Sequence, residues 1–177
     1  MSEQVIIVDR QDRPLATEEK LRAHQQALCH RAFSVFIFDT HAETVNVLLQ
    51  QRQTDKYHCG GLWSNACCGH PRPGEVTAIA AKRRLREEMG ITIALKEVGV
   101  FHYQAEFANG LSENEMDHVF IGEYAGEVIK PHPEEVMQIK WMDLGDLQQD
   151  ICNNEQYYTP WFLPALQIAE INRKEKQ

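Results

Sequence analysis

Two glutamates separated by one residue, Glu113-Asn114-Glu115, fall on one face of a strand, because strand side chains alternate with a period of two. Two carboxylates held that close need a cation. On its own a Glu-x-Glu is most often a solvated strand edge, since charged side chains stay at the surface. Three histidines change its meaning. His24, His30 and His70 would complete a set of three imidazoles and two carboxylates suited to zinc, manganese or a similar divalent ion. Spacing alone does not establish that convergence, and a single histidine is more often structural than a ligand.

A second constellation is Cys68-Gly69-His70-Pro71, where the glycine permits the tight backbone approach that lets the preceding side chain point into a pocket. Cys68 is the candidate proton-transfer residue, because neighbouring charge can tune a thiol towards thiolate, which exchanges protons with carbon. Its neighbour Cys67 reads as a small buried hydrophobe. Arg84 and Glu88 lie four residues apart and share a helix face, which suits them to a diphosphate and its Mg2+ respectively. The plainer alternative is a surface ion pair.

The elements that must position these groups follow from periodicity and breakers. Strands are expected over residues 4–8, 32–38, 45–50, 91–94, 97–105, 115–123 and 139–142. Residues 32–38 and 45–50 read as paired central strands joined by a hairpin. Thr17 caps a helix running to about residue 28, and a main helix covers 75–89 between Gly74 and Gly90, with its basic residues in the latter half. Helical turns are expected over 133–137 and 144–149, and a closing helix over 161–174. The segment from Tyr57 to Pro73, rich in Gly, Cys, His and Pro, has no sustained period and reads as the loop that carries the chemistry. Strands and helices in mixed order, without a repeated βαβ unit, give an α+β fold with a mixed sheet flanked by helices.

At 177 residues the chain is expected to form one domain, 1–177, with a core that needs no disulfides or structural metal. With 18 basic against 26 acidic residues and a net charge of −8, it would repel nucleic acid and anionic membranes, so an anionic substrate must meet locally concentrated cations or metal. Five cysteines, an odd number, and no apolar leader point to a reducing, cytoplasmic setting. No apolar run approaches the roughly 20 residues that span a bilayer, so no stable membrane insertion is expected.

Residues Arg83-Arg84-Leu85-Arg86-Glu87-Glu88-Met89-Gly90 resemble the second half of a Nudix box. A hydrolytic box carries glutamate where this chain has Arg84, which argues against a Nudix pyrophosphohydrolase. With Trp63-Ser64-Asn65-Ala66-Cys67-Cys68-Gly69-His70-Pro71, Phe101-His102-Tyr103, Glu113-Asn114-Glu115 and Tyr158-Thr159-Pro160-Trp161, the chain resembles the type I isopentenyl diphosphate isomerases over nearly its whole length. That resemblance implies a Nudix-like fold and a small allylic or homoallylic diphosphate as substrate, handled by a monomer or homodimer. It makes His24, His30, His70, Glu113 and Glu115 the ligands of a first divalent ion, Mn2+ or Zn2+, with Glu88 and the Cys68 carbonyl on a substrate-bound Mg2+. Lys20, Arg52, Lys56 and Arg84 match the positions that grip the diphosphate, and Trp161 matches an aromatic lid. Glu115 with Tyr103 would deliver a proton and Cys68 take one away, although one sequence does not fix the direction. The step from His24 to His30 departs from the family's spacing and leaves the alignment of that helix end open. A non-catalytic zinc module built from His58, Cys59, Cys67, Cys68 and His70 is the competing reading, but it lacks the paired Cys-x-x-Cys knuckles such sites favour.

Overall fold

The structure, a computed structural model, describes residues 3–56 and 58–174. Tyr57, at the head of the expected chemical loop, lies outside the described residues, as do both ends of the expected 1–177 domain. Nine strands form one sheet: β1 (Gln4–Val8), β2 (Pro14–Glu19), β3 (His30–Asp39), β4 (Asn46–Arg52), β5 (Trp63–Ser64), β6 (Cys67–Gly69), β7 (Leu95–Glu106), β8 (Ser112–Glu123) and β9 (Val136–Asp143). Four helices accompany them: α1 (Lys20–Gln25), α2 (Thr77–Met89), α3 (Leu144–Asn154) and α4 (Phe162–Lys174).

Strand β3 organises the molecule because it is buried along nearly its whole length. Its odd residues Phe33, Val35 and Ile37 pack with Ala80, Ala81, Leu85 and Met89 of α2. Its even residues Phe36 and Phe38 pack with Leu147 of α3 and Phe162 and Leu166 of α4. Helices cover both faces, so this strand is apolar on both sides rather than alternating. Strand β8 runs parallel to β3 and β7 antiparallel to β8, which makes the sheet mixed, as expected.

The expected central hairpin is present but short. Strands β3 and β4 pair at Phe38–Val47 and Asp39–Asn46 and then splay apart. Below that root β3 takes β6 as its neighbour and β4 takes β5, while β9 lines the other edge of β4 along its length. The gap opened by the splay holds a cavity of about 360 Å³.

Three expectations are corrected. Residues 17–19, read as the start of a helix, belong to β2, because a turn at Asp12 (φ 58°) folds Pro14–Glu19 back onto β1; only six helical residues follow before Ala27 (φ 50°) breaks the run. Residues 91–94 form no strand, yet Ile91 and Ile93 are buried in the core beside α2, and that packing accounts for their alternation. Residues 133–135 make a turn, but Val136 and Met137 already belong to β9. The main helix starts at Thr77, and Gly90 (φ 70°) ends it where a Cβ would come within 2.8 Å of the Lys130 carbonyl oxygen.

Candidate active site

Register alone brings the first group together. Glu115 pairs with His30 across the β3–β8 ladder and with Tyr103 across the β7–β8 ladder, so three strands present His30, Glu115 and Tyr103 in one row. Glu113 follows two residues away on the same face. Helix α1 lowers His24 onto this row, and the turn after β6 brings His70. Glu115 Oε1 lies 2.8 Å from His70 Nε2 and 3.3 Å from His30 Nε2, and Glu113 Oε2 lies 3.2 Å from His24 Nε2. The irregular spacing of His24 and His30 therefore does not keep them apart.

Two of the three rings are aimed by their other nitrogen. His24 Nδ1 donates to the Lys20 carbonyl at 2.6 Å and His30 Nδ1 to the Leu28 carbonyl at 2.8 Å. A carbonyl can only accept, so Nδ1 carries a proton and Nε2 is turned towards the carboxylates, the orientation of histidines that bind metal. Glu113 Oε2 and His30 Nε2 are buried without a hydrogen-bond partner. With metal–nitrogen distances of about 2.1 Å, neighbouring donors of one ion sit about 3 Å apart, close to the separations found here. The residues fit a divalent ion.

Electrostatics agree. Burial opposes charge on Glu115, yet His30 and His70 outweigh it and hold the carboxyl well below its usual range. Burial also opposes charge on His30, but Glu115 raises its pKa on balance, whereas burial lowers His70 to about 4. Tyr103 donates to Glu115 Oε2 at 2.5 Å, and burial followed by the charges of Glu113 and Glu115 pushes its phenol well up.

Cys68 stands on the far side of β3, opposite Ser34. Its Sγ donates to Asn65 Oδ1 at 3.1 Å and accepts from Trp161 Nε1 at 3.2 Å. Asn65 is the hub of this wall: its amide nitrogen donates to the carbonyls of Val35 and Cys67. Ser64 meets Thr159 at 3.1 Å and ties the Trp161 turn to it. The expected drift of Cys68 towards thiolate is corrected. Burial first, and then Asp117, push the thiol up to about 12 despite Arg52, so the group holds its proton.

The cations line the same cavity as Cys68 and Glu115. Lys20 pairs with Glu3 at 2.9 Å, Lys56 with Glu135, and Arg84 with Glu88 at 2.5 Å and Glu135 at 3.4 Å. Arg52 lies over the Trp161 ring at 5.5 Å. The Arg84–Glu88 pair is no surface pair, because Glu88 is buried and accepts a further bond from Gln50 at 2.9 Å.

Against known families, the sequence profile of the NUDIX domain matches residues 29–162. The Isopentenyl-diphosphate Delta-isomerase of Serratia proteamaculans is 44% identical over 99% of this chain and 96% of its own length. Isopentenyl-diphosphate Delta-isomerase 1 of Aromatoleum aromaticum is 47% identical over 99% and 97%. The chain belongs to the isopentenyl-diphosphate Delta-isomerase family, within the Nudix domain family. The fold agrees: a Deinococcus radiodurans crystal structure superposes with a TM-score of 0.74 at 13% identity, covering 95% of this chain and 98% of that one. A MutT protein from Methanosarcina mazei gives 0.63 at 19% identity, over 84% and 96%.

For a member of this isomerase family, the zinc-module alternative has no structural support. Among the described residues, neither cluster able to hold a metal includes a cysteine, and Cys67 is part of the hydrophobic core. The sequence reading missed Asp117 and Glu135 at the site and placed His58 only in the zinc module. Asp117, fully buried and bonded to Ser34 at 2.7 Å, continues the two-residue period of Glu113 and Glu115, a signal that was available. Glu135 carried no such signal, because it reaches the cavity from a loop.

Proposed function

We propose that this isomerase interconverts isopentenyl and dimethylallyl diphosphate in the cavity between β3 and β4, with Glu115 and Tyr103 facing one side of the alkene and Cys68 the other. Moving the double bond requires a proton added at one alkene end and another removed two carbons away, through a tertiary cation or something close to it. The observation that carries this assignment is the opposition of two proton-bearing walls, Cys68 on β6 and Tyr103–Glu115 on β7 and β8, lining one cavity. Tyr103 holds a proton 2.5 Å from Glu115, and the buried Cys68 thiol holds another. The reaction is reversible, so each wall must both give and take.

His24, His30, His70, Glu113 and Glu115 would hold a divalent ion, Mn2+ or Zn2+, whose charge would orient Glu115 and tune its acidity. Glu88 and the Cys68 carbonyl would hold Mg2+ on the substrate. Lys20, Arg52, Lys56 and Arg84 grip the diphosphate, exchanging their carboxylate partners for its oxygens. The rings of Trp161 and Tyr103, 6.1 Å apart, shelter the developing cation, a contact worth about 2 kcal/mol when desolvated. Among the described residues no helix is long and apolar enough to cross a membrane, and the free cysteines suit a cytoplasmic setting.

The test is incubation with isopentenyl diphosphate and Mg2+ in heavy water, followed by NMR. Deuterated dimethylallyl diphosphate is the expected product. Release of phosphate with no isomerisation would return the chain to the hydrolases.

A further inference from the structure

His58 is not one of the five residues assigned to the divalent ion, yet its Nε2 lies 2.7 Å from Glu113 Oε1. Its side chain is only 5% exposed. The ring is stacked on Phe107, with centroids 5.1 Å apart and planes within 1°, and meets the edge of Trp161 at 6.3 Å. Two aromatic neighbours therefore set the plane of the imidazole.

The two oxygens of Glu113 have different surroundings. Oε2 faces His24 at 3.2 Å and His30 at 4.0 Å, separations that suit donors sharing one ion. Oε1, the other oxygen, faces His58 at 2.7 Å, a hydrogen-bond distance. We infer that His58 is a positioning residue for Glu113: it donates Nε2–H to Oε1, leaving Oε2 to the divalent ion, and so ties the loop that carries Lys56 to the metal site. This rests on the metal-dependent reading above. Metal-binding side chains are commonly oriented by such outer partners, whose loss typically costs about 10–100-fold in affinity.

The loop is built to transmit the tie. His58 follows Lys56 by two residues, between β4 and β5, and Gly61 N–H closes the loop on the Arg52 carbonyl at 3.0 Å. At Gly60 a side chain has no room, because a Cβ would come within 2.4 Å of the Thr54 carbonyl oxygen. Lys56 and His58 stand two residues apart on this closed loop, so the tie at His58 bears on Lys56. Occupancy of the metal site should then strengthen diphosphate binding, and by linkage the reverse.

The experiment titrates Mn2+ into metal-free wild type, His58→Phe and His58→Gln by calorimetry, and magnesium pyrophosphate into each with and without Mn2+. Phenylalanine keeps the stack on Phe107 but removes the donor, so Mn2+ affinity should fall about 10–100-fold and Mn2+ should no longer strengthen pyrophosphate binding. Glutamine, whose amide can donate to the same oxygen, should restore most of both. If His58→Phe does not fold, His58→Asn, with an amide too short to reach, replaces it. Wild-type affinity in the Phe or Asn variant would overturn the inference. So would a Gln variant as weak as Phe, which would make the imidazole itself a ligand of the ion. Absence of Mn2+ binding to the wild type would instead sink the metal reading and this inference with it.

Discussion

The cavity has two halves built by different means. The imidazole–carboxylate half stands on β3, β7 and β8, where strand register places His30, Glu115 and Tyr103 in one row, with His30 and Glu115 buried. The cationic half is gathered from four places, with Lys20 on α1, Arg52 at the end of β4, Lys56 on a loop and Arg84 on α2. Three of its charges are already matched, by Glu3, Glu88 and Glu135, and Arg52 lies over Trp161. The first half is held by geometry that cannot be exchanged, whereas the second is held by ion pairs that a diphosphate can replace. Chemistry needing fixed distances sits on the sheet, and binding that must form and release sits on the rim.

The sharpest way to break this comparison is Glu113→Gln beside Lys56→Ala. Removing one charge from a buried, paired set costs about 3–5 kcal/mol, so divalent-ion affinity should fall by about 10²–10³-fold in Glu113→Gln. Lys56→Ala should leave it unchanged and raise KM instead. Calorimetry with steady-state kinetics reads both, and equal loss of metal in the two variants would show that the halves are not separate.

A smaller effect follows from pH. His30 has a raised pKa in the metal-free protein because Glu115 sits against it, so an ion must displace its proton. The sign follows from that displacement: protons compete increasingly as pH falls through the raised His30 pKa, and affinity should drop by up to about tenfold per unit for one displaced proton, as competition titrations against a chelator would show. A flat profile would mean that the imidazoles are neutral before the ion arrives. The smallest effect belongs to the rim. Glu135→Gln frees Lys56 and Arg84 from a partly exposed partner, and an ion pair of that kind is worth at most about 1 kcal/mol. KM for the diphosphate should fall by up to about fivefold with kcat unchanged; a rise would show that Glu135 helps to hold the substrate or its Mg2+.

The same division governs what could be read from the sequence. Period-two alternation put Glu113 and Glu115 on one face before any coordinates, and the α2 terminator at Gly90 was equally plain, because both depend on local geometry. The splay of β3 from β4 was not legible. It arises because, beyond the root, β6 pairs with β3 and β5 with β4, a long-range choice that a hairpin pattern does not contain. The reach of Glu135 into the cavity was invisible for the same reason, and His58 was read only as part of a zinc module. The Cys68 thiol was misjudged because neighbouring charge was expected to favour thiolate, while the burial that outweighs it arises from tertiary packing, in which Trp161, 93 residues further along the chain, lies against the sulfur.

The most direct test of two proton-transfer walls, one held by metal and one not, is a paired titration of Glu115→Gln and Cys68→Ala, measuring divalent-ion affinity and isomerisation on the same samples. Both variants should lose about 10²–10⁴-fold in rate, the usual worth of a positioned acid or base, but only Glu115→Gln should lose the ion, with Cys68→Ala binding it as the wild type does. Loss of metal in Cys68→Ala, or full metal binding and activity in Glu115→Gln, would contradict the account.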